Sequence, residues 1–455
     1  MCKSKKHRKS GERFIQGNLF EVPLAPPDLN SVGNGERAES VYELLSRLER
    51  QRAETELLLE RVVDYRNLQE SYEQVRRNAG VGGVDEMTVK ELQEWLIKHM
   101  ETFRQEVLEE RYKVESVRKV EIKKPEGGIR TLGIPTVKDR LLQQAIHQVL
   151  NPYYDTQFSE NSYGFRPNRS AHQAIEKASE YVKEGLEWVV DIDLEKFFDT
   201  INHDRLMQRL SKGIGDKRLL RLINNYLKAD MMKDGLTEQR VAGTPQGGPL
   251  SPLLSNIVLD ELDKELEKRG HKFCRYADDC NIYVGSERAG KRVMESITEF
   301  IEKKLKLRVN REKSGVRHCS TVKFLGYTIM PDGKIRISDK SKERLKAKIR
   351  EICKRSRGVK FEQVIKELNM AIVGWATYFR KANTWLGDYK HLDGWIRRKL
   401  RCYRLKQCGR KYTQFKLLRE LGIAENTAWN AVLYSQGWWE LSNRLAVKLA
   451  LDNQW

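Results

Sequence analysis

This 455-residue chain has no Cys-x-x-Cys pair and no His/Cys cluster at zinc spacing, so nothing in it suggests a structural zinc site. Its seven cysteines (Cys2, Cys274, Cys280, Cys319, Cys353, Cys402 and Cys408) are odd in number and scattered. That pattern suits a reducing cytosol better than a disulfide framework. No apolar run approaches the length of a membrane span. The basic start, Met1-Cys-Lys-Ser-Lys-Lys-His-Arg-Lys9, lacks the apolar segment of a signal peptide. A cytoplasmic protein with no membrane partner is expected. Internal repeats are absent. His147, His172 and His203 have no acid or cysteine partner at a recognisable spacing, so they read as structural.

What the chain does have is positive charge. It carries 84 Lys+Arg against 64 Asp+Glu, a net of +20. Residues 340–420 alone hold 24 basic and 7 acidic residues, a net of +17. A field concentrated in this way suits a polyanion, because neutralising phosphates releases their counterions. Nine Trp and 17 Tyr offer flat faces for bases, although most aromatics of a soluble protein belong to its core. The length suits about three domains.

Along the chain, residues 1–40 carry Pro, Gly, Asn and charge without periodicity and read as disordered. Residues 41–77 read as a charged helix and 84–110 as another. Val117–Ile122 alternates like a strand, Pro125-Glu-Gly-Gly128 is a turn, and Thr131–Pro135 resumes the extended path. Helices are expected over 137–150, from the end of the 188–194 strand to Leu210, and over 252–269. Further β-prone runs cover 273–284 and 322–330. From Ser341 onward the pattern is helical, with breaks at Gly358, Gly387 and Gly409. An α+β core with a helical C-terminal module follows.

Two segments carry chemistry. Tyr276-Ala277-Asp278-Asp279 lies between an apolar run and Ile282-Tyr283-Val284, so it reads as a hairpin with two acids at its tip. Adjacent carboxylates repel each other and are held together most readily by a cation. An isolated Asp-Asp pair is ordinarily a solvated turn; the rest of the chain argues otherwise here. In Val189-Val-Asp-Ile-Asp-Leu-Glu-Lys-Phe-Phe-Asp199, Asp191 and Asp193 share one face of a strand. Strand-end acids and a hairpin-tip pair together could hold two divalent cations for a phosphoryl displacement.

From residue 75 to the end the chain resembles the reverse transcriptases of bacterial group II introns, and among them the short, endonuclease-lacking group IIC branch. The resemblance rests on motifs in order. These are Gly83-Val-Asp85, Ile122-Lys-Lys-Pro-Glu-Gly-Gly-Ile-Arg130, Leu132-Gly-Ile-Pro135, Ser162-Tyr-Gly-Phe-Arg-Pro167 and the Asp193 segment. Gly243-Thr-Pro-Gln-Gly-Gly-Pro-Leu-Ser-Pro252, the Tyr276 box, Asn310-Arg-Glu-Lys313 and Phe324-Leu-Gly-Tyr327 follow. Gly374-Trp-Ala-Thr-Tyr-Phe379 and Gly394-Trp-Ile-Arg-Arg-Lys-Leu-Arg401 complete the series. Each is weak alone, and their order is specific.

The resemblance implies a right-hand polymerase: fingers, a palm with an antiparallel sheet and helices, a helical thumb and a small helical C-terminal domain. The corresponding divisions are a charged, partly disordered extension at 1–55, fingers and palm at 56–338, thumb at 339–386 and a basic nucleic-acid-binding domain at 387–455. It implies Asp193, Asp278 and Asp279, with the backbone carbonyl of Leu194, as ligands of two Mg²⁺ ions. Asp191 then falls outside the metal shell, bonded to backbone or lysine. Phe198 matches the position beneath the incoming sugar, where a bulky ring excludes a 2′-hydroxyl. Lys124, Arg130, Gln246 and Lys313 match residues at the incoming nucleotide, and Arg118 is a candidate for template or triphosphate. Arg397, Arg398, Lys399 and Arg401 are expected at phosphates, while Trp375 and Trp395 are expected in the core. No endonuclease domain is expected.

The implied function is RNA-directed DNA synthesis for an intron whose RNA the protein also binds to assist splicing. Its partners would be the group II intron RNA, an RNA template with a DNA primer, and target DNA. Three readings stand beside it: a CRISPR-associated, defence or repair reverse transcriptase outside introns; a splicing cofactor with a vestigial polymerase; and an RNA-making polymerase, against which Phe198 argues.

Overall fold

The protein is described here from a computed structural model covering residues 57–123, 127–233, 236–238, 240, 242–383 and 386–452, with 386–388 by backbone only. The expectations for residues 1–55, Lys124 and the first half of the Pro125 turn lie outside the described residues.

Three helices open the fold: α1 (Leu58–Val62), α2 (Tyr65–Asn78) and α3 (Val89–Leu108). The long helix expected up to residue 77 is interrupted at Asp64, whose side chain accepts the Arg66 amide and starts α2 afresh. The next helix begins at residue 89 rather than 84. Thr88 and Glu91 form a capping box there.

β1 (Val117–Lys123) and β2 (Ile129–Ile134) make an antiparallel hairpin, pairing Lys123 with Ile129. Gly127 and Gly128 turn it at φ +93° and +85°, a region where a side chain is strained. α4 (Val137–Asp155) and α5 (Ala171–Lys183) follow. α4 runs past the expected end at 150, with Pro152 in its last turn. Then come β3 (Trp188–Ile192), α6 (Phe197–Thr200), α7 (His203–Gly213) and α8 (Lys217–Lys228). β4 (Met231–Lys233) and β5 (Leu236–Glu238) extend the first sheet to the order β2-β1-β4-β5.

α9 (Ser251–Lys268), β6 (Lys272–Tyr276), β7 (Asp279–Val284), α10 (Glu287–Phe300) and β8 (Gly315–His318) complete a second sheet, β6-β7-β3-β8, antiparallel throughout. One large core fills the space between this sheet and helices α1–α4 and α7–α10. Leu68, Leu92, Leu141, Ile192, Phe273 and Ile282 belong to it. β9 (Tyr327–Ile329) and β10 (Ile335–Ile337) form a small hairpin.

Helices α11 (Asp339–Ile352), α12 (Phe361–Tyr378), α13 (Leu386–Gln407), α14 (Lys411–Glu420), α15 (Glu425–Leu433), α16 (Trp438–Leu441) and α17 (Leu445–Ala450) close the described chain. The break expected at Gly387 falls earlier, because α13 already begins at Leu386. α13 serves two cores. Ile396 and Tyr403 pack with α11 and α12, and Leu405 packs with α14–α17. No helix of the described residues is long and apolar enough to cross a membrane. The described cysteines are all free.

Candidate active site and nucleic-acid interface

Antiparallel register sets the acids at one end of the second sheet. Tyr276 pairs with Asp279 across a two-residue tip of Ala277 and Asp278. β3 pairs with β7 as far as Ile192 opposite Cys280, so Asp193 leaves β3 level with Asp279. Ala277 takes a left-handed φ of +59° to make the tip. Asp278 is exposed, while Asp193 and Asp279 are half-buried.

The backbone at Asp193 is fixed from both sides. Its amide donates to the buried Ser314 hydroxyl at 2.9 Å, and its carbonyl accepts from the Asn310 amide at 2.9 Å and from Ser314 at 3.2 Å. Leu194 bridges Val309. The Lys313 ammonium stands 3.7 Å from the Asp193 carboxylate, so the Asn310–Ser314 turn delivers that cation to the acids.

Burial pushes the Asp279 carboxyl up to about 8, and Asp191, Asp278 and Asp193 add to the effect while Lys323 opposes it. Negative charge is therefore crowded at this end of the sheet, which is the chemistry of a divalent-cation site. Asp191 belongs to the crowd but is held by Arg317 at 2.9 Å rather than by backbone or lysine. Arg317 also donates to the Lys313 carbonyl at 2.7 Å. Burial raises the Asp191 carboxyl and Arg317 works against that rise. As the side chains stand, no three His, Cys, Asp or Glu among the described residues lie close enough to share one ion. Oxygen donors of the right kind are present, and small side-chain rotations would have to complete a cage.

A second cluster forms around the 243–250 loop. Phe198 is 9% exposed and packs edge-on against Phe197. Its carbonyl accepts the Thr244 amide at 2.7 Å. Gly243 sits against that backbone at φ +87°, where a Cβ would lie 2.6 Å from the Phe198 oxygen. The next residues reach the β1–β2 hairpin: Gln246 accepts from Arg130 Nε at 2.8 Å and from the Gly133 amide at 2.9 Å. Arg130, Gln246 and Phe198 are thus linked through one loop. Arg118 is exposed on β1, opposite Ile134 and beside Met232.

Between the sheet and the following helices lies a 690 Å³ cleft lined by Asp279, Lys323, Arg344, Lys348, Trp375 and Tyr378, among others. His172 bonds the Tyr378 carbonyl at 2.6 Å and ties α5 to the end of α12. His203 bonds the Gly243 carbonyl, and burial lowers its pKa.

On α13 the four basic candidates have different surroundings. Arg397 pairs with Asp393 one turn away. Arg398 lies 3.9 Å over the Trp439 ring, and Lys399 is 4.8 Å from the same ring. Arg401 is only 8% exposed and donates to the Ser442 carbonyl at 3.0 Å. Its guanidinium fastens α13 to the end of α16 and is mostly covered, whereas a phosphate contact was expected of it.

Comparison with known proteins gives this geometry a family. The model for "Reverse transcriptase (RNA-dependent DNA polymerase)" matches residues 122–329, and that for "Group II intron, maturase-specific domain" matches 342–422. Protein YkfC of Escherichia coli K12 is 32% identical over 293 residues, 56% of this chain and 77% of that protein. The chain belongs to the reverse transcriptases of group II introns. Group II intron-encoded protein LtrA of Lactococcus lactis is 32% identical over 301 residues, 51% of this chain and 50% of LtrA, so this reverse transcriptase spans half of that relative's length. A partial Cas6-RT-Cas1–Cas2 complex aligns with a TM-score of 0.36 at 26% identity, over 54% of this chain and 42% of that one. The fold is a right-hand polymerase. It combines mixed helices and antiparallel sheet with a C-terminal run of helices.

Sequence reasoning missed the buried supports of this reverse transcriptase's site. Arg275 is 1% exposed and donates to both oxygens of Asp263, to Asn256, to Ser162 and to the Ala277 carbonyl. A buried Arg between the apolar pair Phe273-Cys274 and Tyr276 was the available signal. Ser314 and Arg317 left no comparable mark.

Proposed function

We propose that this protein is an RNA-directed DNA polymerase that copies its group II intron during retrohoming and binds the intron RNA to assist splicing. The observation that carries the reading is the register bringing Asp193, Asp278 and Asp279 to one end of the palm sheet, inside a chain of this family. Those carboxylates, with the Leu194 carbonyl, would hold two Mg²⁺ ions. When bound, the ions acidify the primer hydroxyl and offset the charge of the triphosphate. Arg130 and Gln246, with Lys124, grip the incoming nucleotide. Phe198 lies beneath its sugar and rejects a 2′-hydroxyl. Lys313 sits beside Asp193 and balances charge as pyrophosphate leaves. Arg118 guides the template strand or the triphosphate.

Fingers and palm span 56–338, and the helical thumb spans 339–386. The basic region 387–455 binds nucleic acid, with Arg397, Arg398 and Lys399 toward phosphates. The partners are group II intron RNA, an RNA template with its DNA primer, and target DNA, in a bacterial cytoplasm.

Primer extension on an RNA template with Mg²⁺ tests this directly. Wild type should make DNA, and Asp278→Asn should lose about 10²–10³-fold in rate, the scale of removing one essential electrostatic element. Phe198→Ala should admit ribonucleotides. Wild type that binds structured RNA tightly yet extends nothing would leave the splicing role alone.

A further inference from the structure

The Ser162–Pro167 motif has no role in the chemistry described above, yet it lies against the catalytic turn. Tyr163 donates its amide to the Arg275 carbonyl at 2.8 Å. Gly164 is buried, and a Cβ on it would lie 2.2 Å from the Ala277 amide nitrogen. Asn256 holds the Gly164 carbonyl at 2.9 Å. On the other side, Arg166 is 8% exposed and donates four bonds, to the Asp155 carboxylate and to the carbonyls of Asp155, Ser159 and Ser162.

Between these two buried anchors stands Phe165. Its φ is +59° and it is 44% exposed. It belongs to none of the hydrophobic clusters of the described residues. A bulky aromatic in the left-handed region is a strained residue. A large apolar ring left this exposed forgoes much of the stabilisation that full burial would give. Gly or Asn would suit this backbone better. The chain therefore combines strain, exposure and rigid flanking bonds to hold an aromatic face one residue from the glycine that backs the Ala277 tip.

We propose that Phe165 is a nucleic-acid contact, its ring packing on the terminal base pair of the primer–template at the catalytic turn. Strain at a functional position disappears on substitution while function is lost, whereas a packed core ring loses stability on substitution. The inference rests on the polymerase reading for the identity of its ligand, an RNA/DNA hybrid with a recessed 3′ end.

The test compares wild type, Phe165→Asn and Phe165→Tyr, each as the full chain. Three readouts are taken: melting without nucleic acid, affinity for a fluorescent recessed RNA/DNA hybrid, and extension of that hybrid. Phe165→Asn should melt at or above wild type while binding the hybrid about 5-fold or more weaker, the low end of base–aromatic stacking. Phe165→Tyr should bind as wild type. The proposal is overturned if Phe165→Asn melts several degrees lower, or binds the hybrid as wild type does. Wild type that binds but does not extend removes the polymerase reading, while the affinity comparison still decides Phe165. Wild type that does not bind the hybrid removes both.

Discussion

Arg275 shows how much of the site rests on a single buried side chain. Burial works against its charge, yet Asp263 lifts its pKa above the ordinary arginine value. Asp263 is wholly buried and takes two of the guanidinium bonds, at 2.7 and 2.6 Å. A third bond, at 2.9 Å, goes to the Ala277 carbonyl between Tyr276 and Asp278. Removing Arg275 alone strands a carboxylate in the core, so Arg275→Met should cost about 3–5 kcal/mol. The pair Arg275→Met/Asp263→Leu should recover most of that loss, because well-packed apolar replacements of a buried ion pair are often neutral. Recovery of stability does not restore the bond to Ala277. The double variant should therefore fold, as chemical denaturation would show, and still extend primers about 10-fold or more slowly through kcat, since misplacement by an ångström has effects of that size. Full activity in the double variant would make Arg275 a stabilising residue and nothing more.

At the scale of elements, the first turn of α4 is tied to the segment that leads into β1. Thr136 caps it, and Asp139 receives the Thr136 hydroxyl at 2.8 Å, the Tyr112 hydroxyl at 2.9 Å and the Glu115 amide at 3.4 Å. Burial raises the Asp139 carboxyl to about 6, with the hydrogen bonds opposing. A folded-state pKa above the unfolded value means that the native state holds the proton longer. Stability from this group is thus greatest below pH 4 and falls as pH rises toward 6. The size is on the order of 3 kcal/mol, from a shift of about two units. Asp139→Asn should flatten that component: between pH 4 and 7 its denaturation midpoint should fall less than that of wild type. A parallel pH trend in the two proteins would assign the dependence elsewhere. Elements differ in how plainly the sequence announces them. The β6–β7 hairpin was legible because two acids interrupt β-prone runs, and the β1–β2 hairpin because its turn is Gly-Gly. β4 and β5 were invisible: they are three residues each, and the side chains of β5 are exposed, so no burial pattern marks them. The break at Asp64 was equally hidden, since a capping aspartate inside a charged run looks like one more surface acid. The two acid segments could be picked out from sequence by residue type and spacing, and the family resemblance then singled out Asp193 over Asp191. Arg275, Ser314 and Arg317 could not, because their partners lie far away in the chain.

At the scale of the whole molecule, charge and its placement separate what a basic residue contributes. The net of +17 over residues 340–420 sets a field that draws polyanions, but only cations free to face phosphate release counterions. Arg397 is half-exposed and paired with Asp393 across one helical turn, an exchangeable contact worth little in water. Arg401 is buried against Ser442, and desolvation lowers its pKa, with Arg397 and Arg398 adding to the effect. The two arginines lie four residues apart on α13 and should behave oppositely. Arg397→Ala should leave melting unchanged and reduce the slope of log affinity for RNA against log salt by about 0.7–0.9, one phosphate's share. Arg401→Ala should lower melting by several degrees, because it leaves a buried carbonyl unsatisfied at the α13–α16 contact. Its salt slope, measured at a temperature where it is still folded, should match wild type. Affinity titrations at four or five salt concentrations, run beside thermal melts, separate the two effects. A reduced slope in Arg401→Ala with melting intact would mean that the guanidinium leaves Ser442 when RNA arrives, and that α16 moves with it.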